Sequence, residues 1–171
     1  MYLRVLLVVI CGVVGCGPIA RLFEPQAATM TPQAFTSDPL LRTLSEAVDR
    51  SDAAAITAAV NAGADVNSYG SGGYRLLYWA MARGNVEGFE QLLKNGARLD
   101  DDYRDPAYLP NPSYRHSVLT QMVANRDTGF LKAALRQGLD PDHAPNEVEK
   151  RSLLFFAVSS WPALEILIQS V

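Results

Sequence analysis

The feature that most constrains the fold of this chain is a segment that recurs three times along it. In each copy, apolar residues at positions i, i+3 and i+4 form one face of a helix, and a glycine follows three residues later. Glycine adopts the left-handed backbone conformation at little cost, so it ends a helix readily. The copies are ITAAVNAGADVN (56–67), FEQLLKNGARLD (89–100) and LKAALRQGLDPD (131–142), with the patterns Ile56/Ala59/Val60/Gly63, Phe89/Leu92/Leu93/Gly96 and Leu131/Ala134/Leu135/Gly138.

A second apolar segment precedes each copy, and its leucine (Leu44, Leu77 or Leu119) lies twelve residues before the first residue of the pattern. A fourth such segment, SLLFFA (152–157), is followed by Pro162, which is typical of the first turn of a helix. Leu164, Leu167 and Ile168 then repeat the pattern two residues early. We therefore predict an all-α chain of about four helix–turn–helix units, the last one degenerate. The units span about 40–68, 69–101, 115–143 and 150–171, with an insertion loop at 102–114.

The first two units are offset by 33 residues, and their segments GADVN (63–67) and ARGNVEGFEQLLKNGA (82–97) are similar to the consensus of the ankyrin repeat. The resemblance covers residues 39–171 and implies an ankyrin-repeat solenoid, which binds proteins through its hairpin tips and the first helices of its units. No unit has the proline or histidine of the family's threonine-proline-leucine-histidine tetrapeptide. This departure puts the polar link that the histidine makes between repeats in doubt, so packing must carry more of the stability. An ordinary helical bundle is the alternative.

The start of the chain indicates export. Arg4 precedes an apolar run of ten residues (5–14), which is too short for a membrane-crossing helix of about 20 residues. The run ends at Val13-Val14-Gly15-Cys16, which resembles the lipobox of bacterial lipoproteins. The resemblance implies that residues 1–15 are a signal peptide, that Cys16 is acylated, and that glycine at position 17 directs the protein to the outer membrane, facing the periplasm. A plain secretory signal or an uncleaved anchor is the alternative.

Residues 16–38 are predicted to be the acylated N-terminus and a flexible tether. Pro18, Pro25 and Pro32 interrupt any helix there, and a coil of this length would reach on the order of 25 Å from the membrane. A second interpretation stays open, in which Leu22-Phe23 and Phe35 pack on the domain as a cap.

Composition and motifs argue against several classes of function. The net charge is −3 and the chain has no basic stripe, so nucleic acid is not an expected partner. The two histidines, His116 and His143, belong to no metal-binding or catalytic motif, and the acidic segments at 99–106 and 140–143 lack the pattern of a calcium loop. The chain is therefore predicted not to be an enzyme and to hold neither a metal nor a cofactor.

The insertion between the second and third units is the most distinctive candidate for a binding surface. Its tyrosines are a residue type enriched at interface hot spots, its prolines lower the entropy lost on binding, and its carboxylates suit a basic partner. Tyr69 and Tyr74 lie in the adjacent hairpin tip, whereas Tyr78 takes the place of the family's histidine and is expected in the core. Alternatively, the loop packs its tyrosines on its own repeats. The candidate partner-binding residues are Tyr69, Tyr74, Asp101, Asp102, Tyr103, Asp105, Tyr108 and Tyr114.

Ankyrin-type lipoproteins of this layout are similar to immunity proteins that protect bacteria from phospholipase effectors of type VI secretion. The resemblance implies a monomer whose partner is a toxic, lipase-type protein and which touches the membrane through its lipid anchor only. The alternative is a structural adaptor or accessory factor for an envelope enzyme such as a catalase.

Overall fold

In the computed structural model the chain is all-α. It describes residues 26–99, 118–124, 127–142, 153, 157, 158 and 160–170, and within these ranges there are eight α-helices and no strand. This confirms the predicted all-α class. The helices are α1 (Pro32–Phe35), α2 (Pro39–Asp49), α3 (Ala53–Asn61), α4 (Leu76–Ala82), α5 (Val86–Lys94), α6 (Val118–Ala124), α7 (Gly129–Arg136) and α8 (Trp161–Gln169), and short 3-10 helices form at Gln26–Ala28 and Ser71–Gly73.

Polar side chains start three of the longer helices. Asp38 Oδ1 accepts a hydrogen bond from Leu41 N at 2.9 Å and so caps α2. Asp52 Oδ1 accepts one from Ala55 N at 3.0 Å and so caps α3. Asn85 Oδ1 caps α5 in the same way, from Gly88 N at 2.7 Å. Each cap satisfies a backbone N–H that has no partner inside its helix.

The second helices of the first three units end in the same turn. Gly63, Gly96 and Gly138 take φ values of +101°, +90° and +89°. In each turn the glycine N–H donates to the carbonyl three residues earlier, and the next N–H donates to the carbonyl five residues earlier, at 2.9–3.0 Å. This Schellman motif confirms the prediction that these glycines end the helices.

The helices pair as the repeated pattern predicts. Within the pairs, α2 packs on α3, α4 on α5, and α6 on α7. Between the pairs, first helices contact first helices (α2 with α4, α4 with α6), and second helices contact second helices (α3 with α5, α5 with α7). Successive pairs therefore lie side by side, and each pair covers an apolar face of its neighbour.

Most of the residues that define the repeats are buried. Leu44, Leu77 and Leu119 of the first helices are buried, as are the first two residues of each apolar pattern, and the third is half-buried. Phe89 of α5 meets Phe130 of α7 edge-to-face, with ring centroids 5.2 Å apart, which joins the second and third pairs.

The prediction of a flexible tether is wrong for residues 26–38, because much of this segment packs on the repeats. Ala27 and Phe35 are fully buried, and the Phe35 ring lies 5.5 Å from that of Trp79 in α4. The alternative of a cap is thus confirmed for Phe35. We call residues 27–36 the strap. Leu22 and Phe23 lie outside the described residues.

The last helix begins where the sequence predicts, but the face that it buries differs from the predicted one. Pro162 lies in the first turn of α8, and Ala163 and Leu167 are buried. Ile168, which the pattern places on the buried face, is 61% exposed, because Ala163 and Leu167 rather than Leu164 and Ile168 face the core. Trp161 is also exposed. No helix among the described residues has the length and apolar character needed to cross a membrane.

Candidate protein-interaction surface

The hairpin tip between the first two pairs holds Tyr69 in a fixed position at the surface. Tyr69 and Arg75 form an isolated antiparallel bridge, and Gly70 N donates to Tyr74 O at 2.7 Å. The Arg75 guanidinium lies 4.2 Å from the centre of the Tyr69 ring and donates to its hydroxyl at 2.9 Å. Tyr69 remains 40% exposed, so it can contact a partner with little further loss of side-chain entropy.

Tyr74 does not belong to this surface, so that part of the predicted site is wrong. Its side chain is only 6% exposed, and its ring stacks on Tyr78 with centroids 5.4 Å apart. The reason is local, since Gly72 and Gly73 have φ values of +69° and +75° and turn the chain so that the Tyr74 ring lies against Gly72. Tyr78 is buried as expected, and burial, followed by the nearby Tyr74, raises its pKa to about 12.

An asparagine makes a polar connection between the first two helix pairs. Besides capping α5, the Asn85 side chain donates from Nδ2 to Val48 O at 2.6 Å and accepts from the Ser51 hydroxyl at 2.9 Å. It therefore ties the start of α5 to the end of α2, one pair earlier. Sequence reasoning missed this role. The available signal was an amide, which both donates and accepts, at the position where the first unit has the carboxylate of Asp52.

A second asparagine connects the outer turns of the same two pairs. Asn67 Nδ2 donates to Gly96 O at 3.0 Å, and its Oδ1 accepts from Arg98 N at 2.9 Å. One side-chain amide thus replaces a backbone partner on both sides of the turn. With Asn85, it joins the first two pairs at both ends of their second helices.

The second and third pairs are joined by charge. Glu90 of α5 accepts from Arg136 of α7 at 2.6 Å and lies 3.5 Å from Lys94 on its own helix. The hydrogen bond from Arg136 lowers the pKa of the Glu90 carboxyl. Because Arg136 is largely exposed, this pair contributes little to stability on its own.

The strap covers part of the first-helix face that the ankyrin resemblance assigns to partners. Trp79 Nε1 donates to Met30 O at 3.1 Å. Arg83, paired with Asp49 at 2.6 Å, donates to the carbonyls of Ala28 and Met30 at 3.4 and 3.3 Å. In the first two pairs, this portion of the face is therefore occupied by the chain itself.

The remaining predicted site residues lie outside the described residues. No group of three or more histidine, cysteine, aspartate or glutamate side chains within the described ranges is arranged to hold a metal. The predicted site residues outside the described ranges are Cys16, Asp101, Asp102, Tyr103, Asp105, Tyr108 and Tyr114, and the two histidines, His116 and His143, lie outside them as well.

Neither protein families nor curated proteins provide a relative from which to take a function. No protein-family model matches the chain, and no curated protein matches it either.

Proposed function

We propose that the chain is an ankyrin-type repeat lipoprotein that binds another protein at the bacterial envelope, and that the partner is a membrane-attacking, phospholipase-type effector which it neutralises. The observation that carries the proposal is the recurrence of one turn and one packing scheme in three successive helix pairs. Repeats of this kind provide extended surfaces rather than enclosed catalytic pockets.

The exposed ring of Tyr69 supports a protein partner. Its position is set by Arg75 before any partner arrives, so little conformational entropy remains to be lost on binding. Tyrosine is one of the residues that most often dominate interface energies. The sequence places further tyrosines and carboxylates in the insertion, at Asp101, Asp102, Tyr103, Asp105, Tyr108 and Tyr114.

The predicted lipid anchor supports the identity of the partner. An inhibitor attached at Cys16 is stationed at the bilayer that a phospholipase would attack. The carboxylates of the insertion favour an encounter with a basic surface on that enzyme. These considerations favour inhibition over the adaptor role.

The test is affinity purification of the full-length, C-terminally tagged chain from envelope extracts of its own organism, followed by mass spectrometry. We expect one stoichiometric partner of lipase type, and its lipase activity should fall when the purified chain is added. Recovery of a resident envelope enzyme whose activity the chain leaves unchanged would replace inhibition with the adaptor role.

Two variants connect the result to the proposed surface and anchor. Tyr69→Ala should weaken capture of the partner, whereas Thr57→Ala, at an exposed position of α3, should not. Cys16→Ser should abolish incorporation of labelled palmitate and leave an unprocessed precursor. A processed and acylated Cys16→Ser product would refute the lipoprotein assignment.

A further inference from the structure

The strap determines where any anchor at Cys16 is attached to the folded domain. We propose that the strap is a fixed attachment point that holds the first two helix pairs close to the bilayer. This inference rests on the acylation of Cys16 given under Proposed function. It adds to that function the distance from the bilayer at which a partner is bound.

The contacts of the strap run from the C-terminal end of α4 to the hairpin tip. At one end, the carbonyls of Ala28 and Met30 accept from Arg83, and Met30 O accepts also from Trp79 Nε1. At the other end, the Phe35 ring lies against Trp79 and under Gly70, so close that a Cβ added at Gly70 would come within 2.5 Å of it. Ala27 and Phe35 are both fully buried.

This pattern of burial indicates that the strap is a fixed attachment point and not a lid that a partner could displace. Phe35 is among the largest fully buried side chains of the molecule and forms part of the same core as Leu44 and Trp79. Removing the strap would expose this apolar core to water, and a weakly bound partner could not supply the free energy that this exposure costs. The strap therefore stays in place while the protein works.

The position of the strap limits how far the domain can lie from the membrane. Ten peptide steps separate Cys16 from Gln26, and whatever their conformation they span at most about 36 Å. If the chain were free as far as Pro39, 23 steps would span about 80 Å. Packing of the strap on the repeats thus more than halves the maximum distance between Cys16 and the folded domain. It also keeps the Tyr69 tip near the lipid surface on which a phospholipase acts.

The experiment measures this distance by energy transfer between the domain and the membrane. The mature chain has no cysteine except Cys16, so Lys132→Cys on the exposed side of α7 provides a single site for a donor dye. The lipidated full-length chain is reconstituted into phosphatidylethanolamine–phosphatidylglycerol vesicles that carry acceptor-labelled lipid. Three forms are compared: the strap intact, the strap released by Ala27→Glu with Phe35→Glu, and the strap intact with about twelve Gly/Ser residues inserted after Pro25.

We expect the shortest donor–bilayer distance in the unmodified chain and an increase on the order of 10 Å in both other forms, since coil length grows with the square root of residue number. Equal distances in the unmodified and inserted chains would overturn the inference, as would a released strap that leaves the distance unchanged while helix content is retained. If the released form does not fold, the same insertion placed after Ser37 decides, because it lengthens a coil that is free as far as Pro39 but leaves the chain between Cys16 and a packed strap unchanged. Vesicle binding no stronger than that of Cys16→Ser would refute the anchor itself, and with it both proposals.

Discussion

Replacing Asn85 with alanine tests whether a side-chain amide connects the first two helix pairs. Three hydrogen bonds are lost: the cap from Gly88 N, the bond to Val48 O and the bond from the Ser51 hydroxyl. All three lie in part-buried surroundings. We expect the free energy of unfolding to fall by about 2–3 kcal/mol.

This magnitude follows from the separate roles of the amide. Loss of a helix cap costs about 1 kcal/mol. The bond to Val48 adds about 1 kcal/mol, near the lower end of the usual range for a deserted buried acceptor, because Val48 O still accepts from Ser51 N at 2.9 Å. Loss of the acceptor for the Ser51 hydroxyl contributes the rest.

The chain offers a matched control one unit earlier. Asp52 stands at the position that corresponds to Asn85, and its side chain caps α3 from Ala55 N at 3.0 Å without reaching another pair. Asp52→Ala should therefore cost about 1 kcal/mol, the value of the cap alone. The difference between the two alanine variants isolates the connection between pairs.

Asn85→Asp provides an independent check. Aspartate is as good a cap as asparagine, but it would place a carboxylate oxygen where Nδ2 now lies 2.6 Å from Val48 O. We expect a loss of at least 1 kcal/mol from this repulsion. Urea unfolding followed by circular dichroism, with unchanged m-values, measures all three variants. The reasoning fails if Asn85→Ala costs no more than Asp52→Ala and Asn85→Asp is neutral.

Three other changes have definite expectations. Leu92→Ala, at a fully buried position of α5, should lower the free energy of unfolding by about 2–5 kcal/mol in the same urea assay, and a loss under about 0.5 kcal/mol would contradict its burial. Gly96→Ala should cost about 1 kcal/mol in thermal unfolding, because alanine resists a φ of +90°. Alkaline pH should destabilise the fold through Tyr78, whose pKa is about 12 when folded and about 10 when unfolded. The unfolded chain releases this proton first, so stability is full below about pH 10 and falls by up to about 1.4 kcal/mol per pH unit towards pH 12. Tyr78→Phe should flatten that dependence in urea titrations across this range, and an unchanged slope would refute the assignment.

The sequence predicts the features that depend on residues close together along the chain. Helix faces follow from apolar spacing, and the ends of α3, α5 and α7 follow from Gly63, Gly96 and Gly138, because both depend on residues a few positions apart. The class of fold and the pairing of helices could therefore be obtained without coordinates.

The features that depend on distant contacts could not be predicted in the same way. Phe35 lies in a proline-containing stretch with no periodicity, and only the presence of Trp79 and Gly70, far along the chain, gives it a buried site. Tyr74 was expected at the surface from its place in a glycine-rich tip, but the backbone of Gly72 decides where its ring points. Ile168 fits the repeat by spacing, yet α8 is rotated so that Ala163 and Leu167 face inward.

Two glycines near the starts of second helices show how these long-range contacts are encoded. Gly88 directly precedes Phe89 in the second unit, and Gly129 lies two residues before Leu131 in the third, and at both an earlier pair packs closely. A Cβ at Gly88 would lie 2.9 Å from Val48 O, and one at Gly129 would lie 3.0 Å from the Val86 side chain. In the first unit, which has no described pair before it, the residue that corresponds to Gly88 is Ala55. A missing side chain therefore sets the separation of neighbouring pairs, and only at that separation can Asn85 reach Val48. Glycine and asparagine act together here, so that a short polar bond connects neighbouring pairs without increasing their separation.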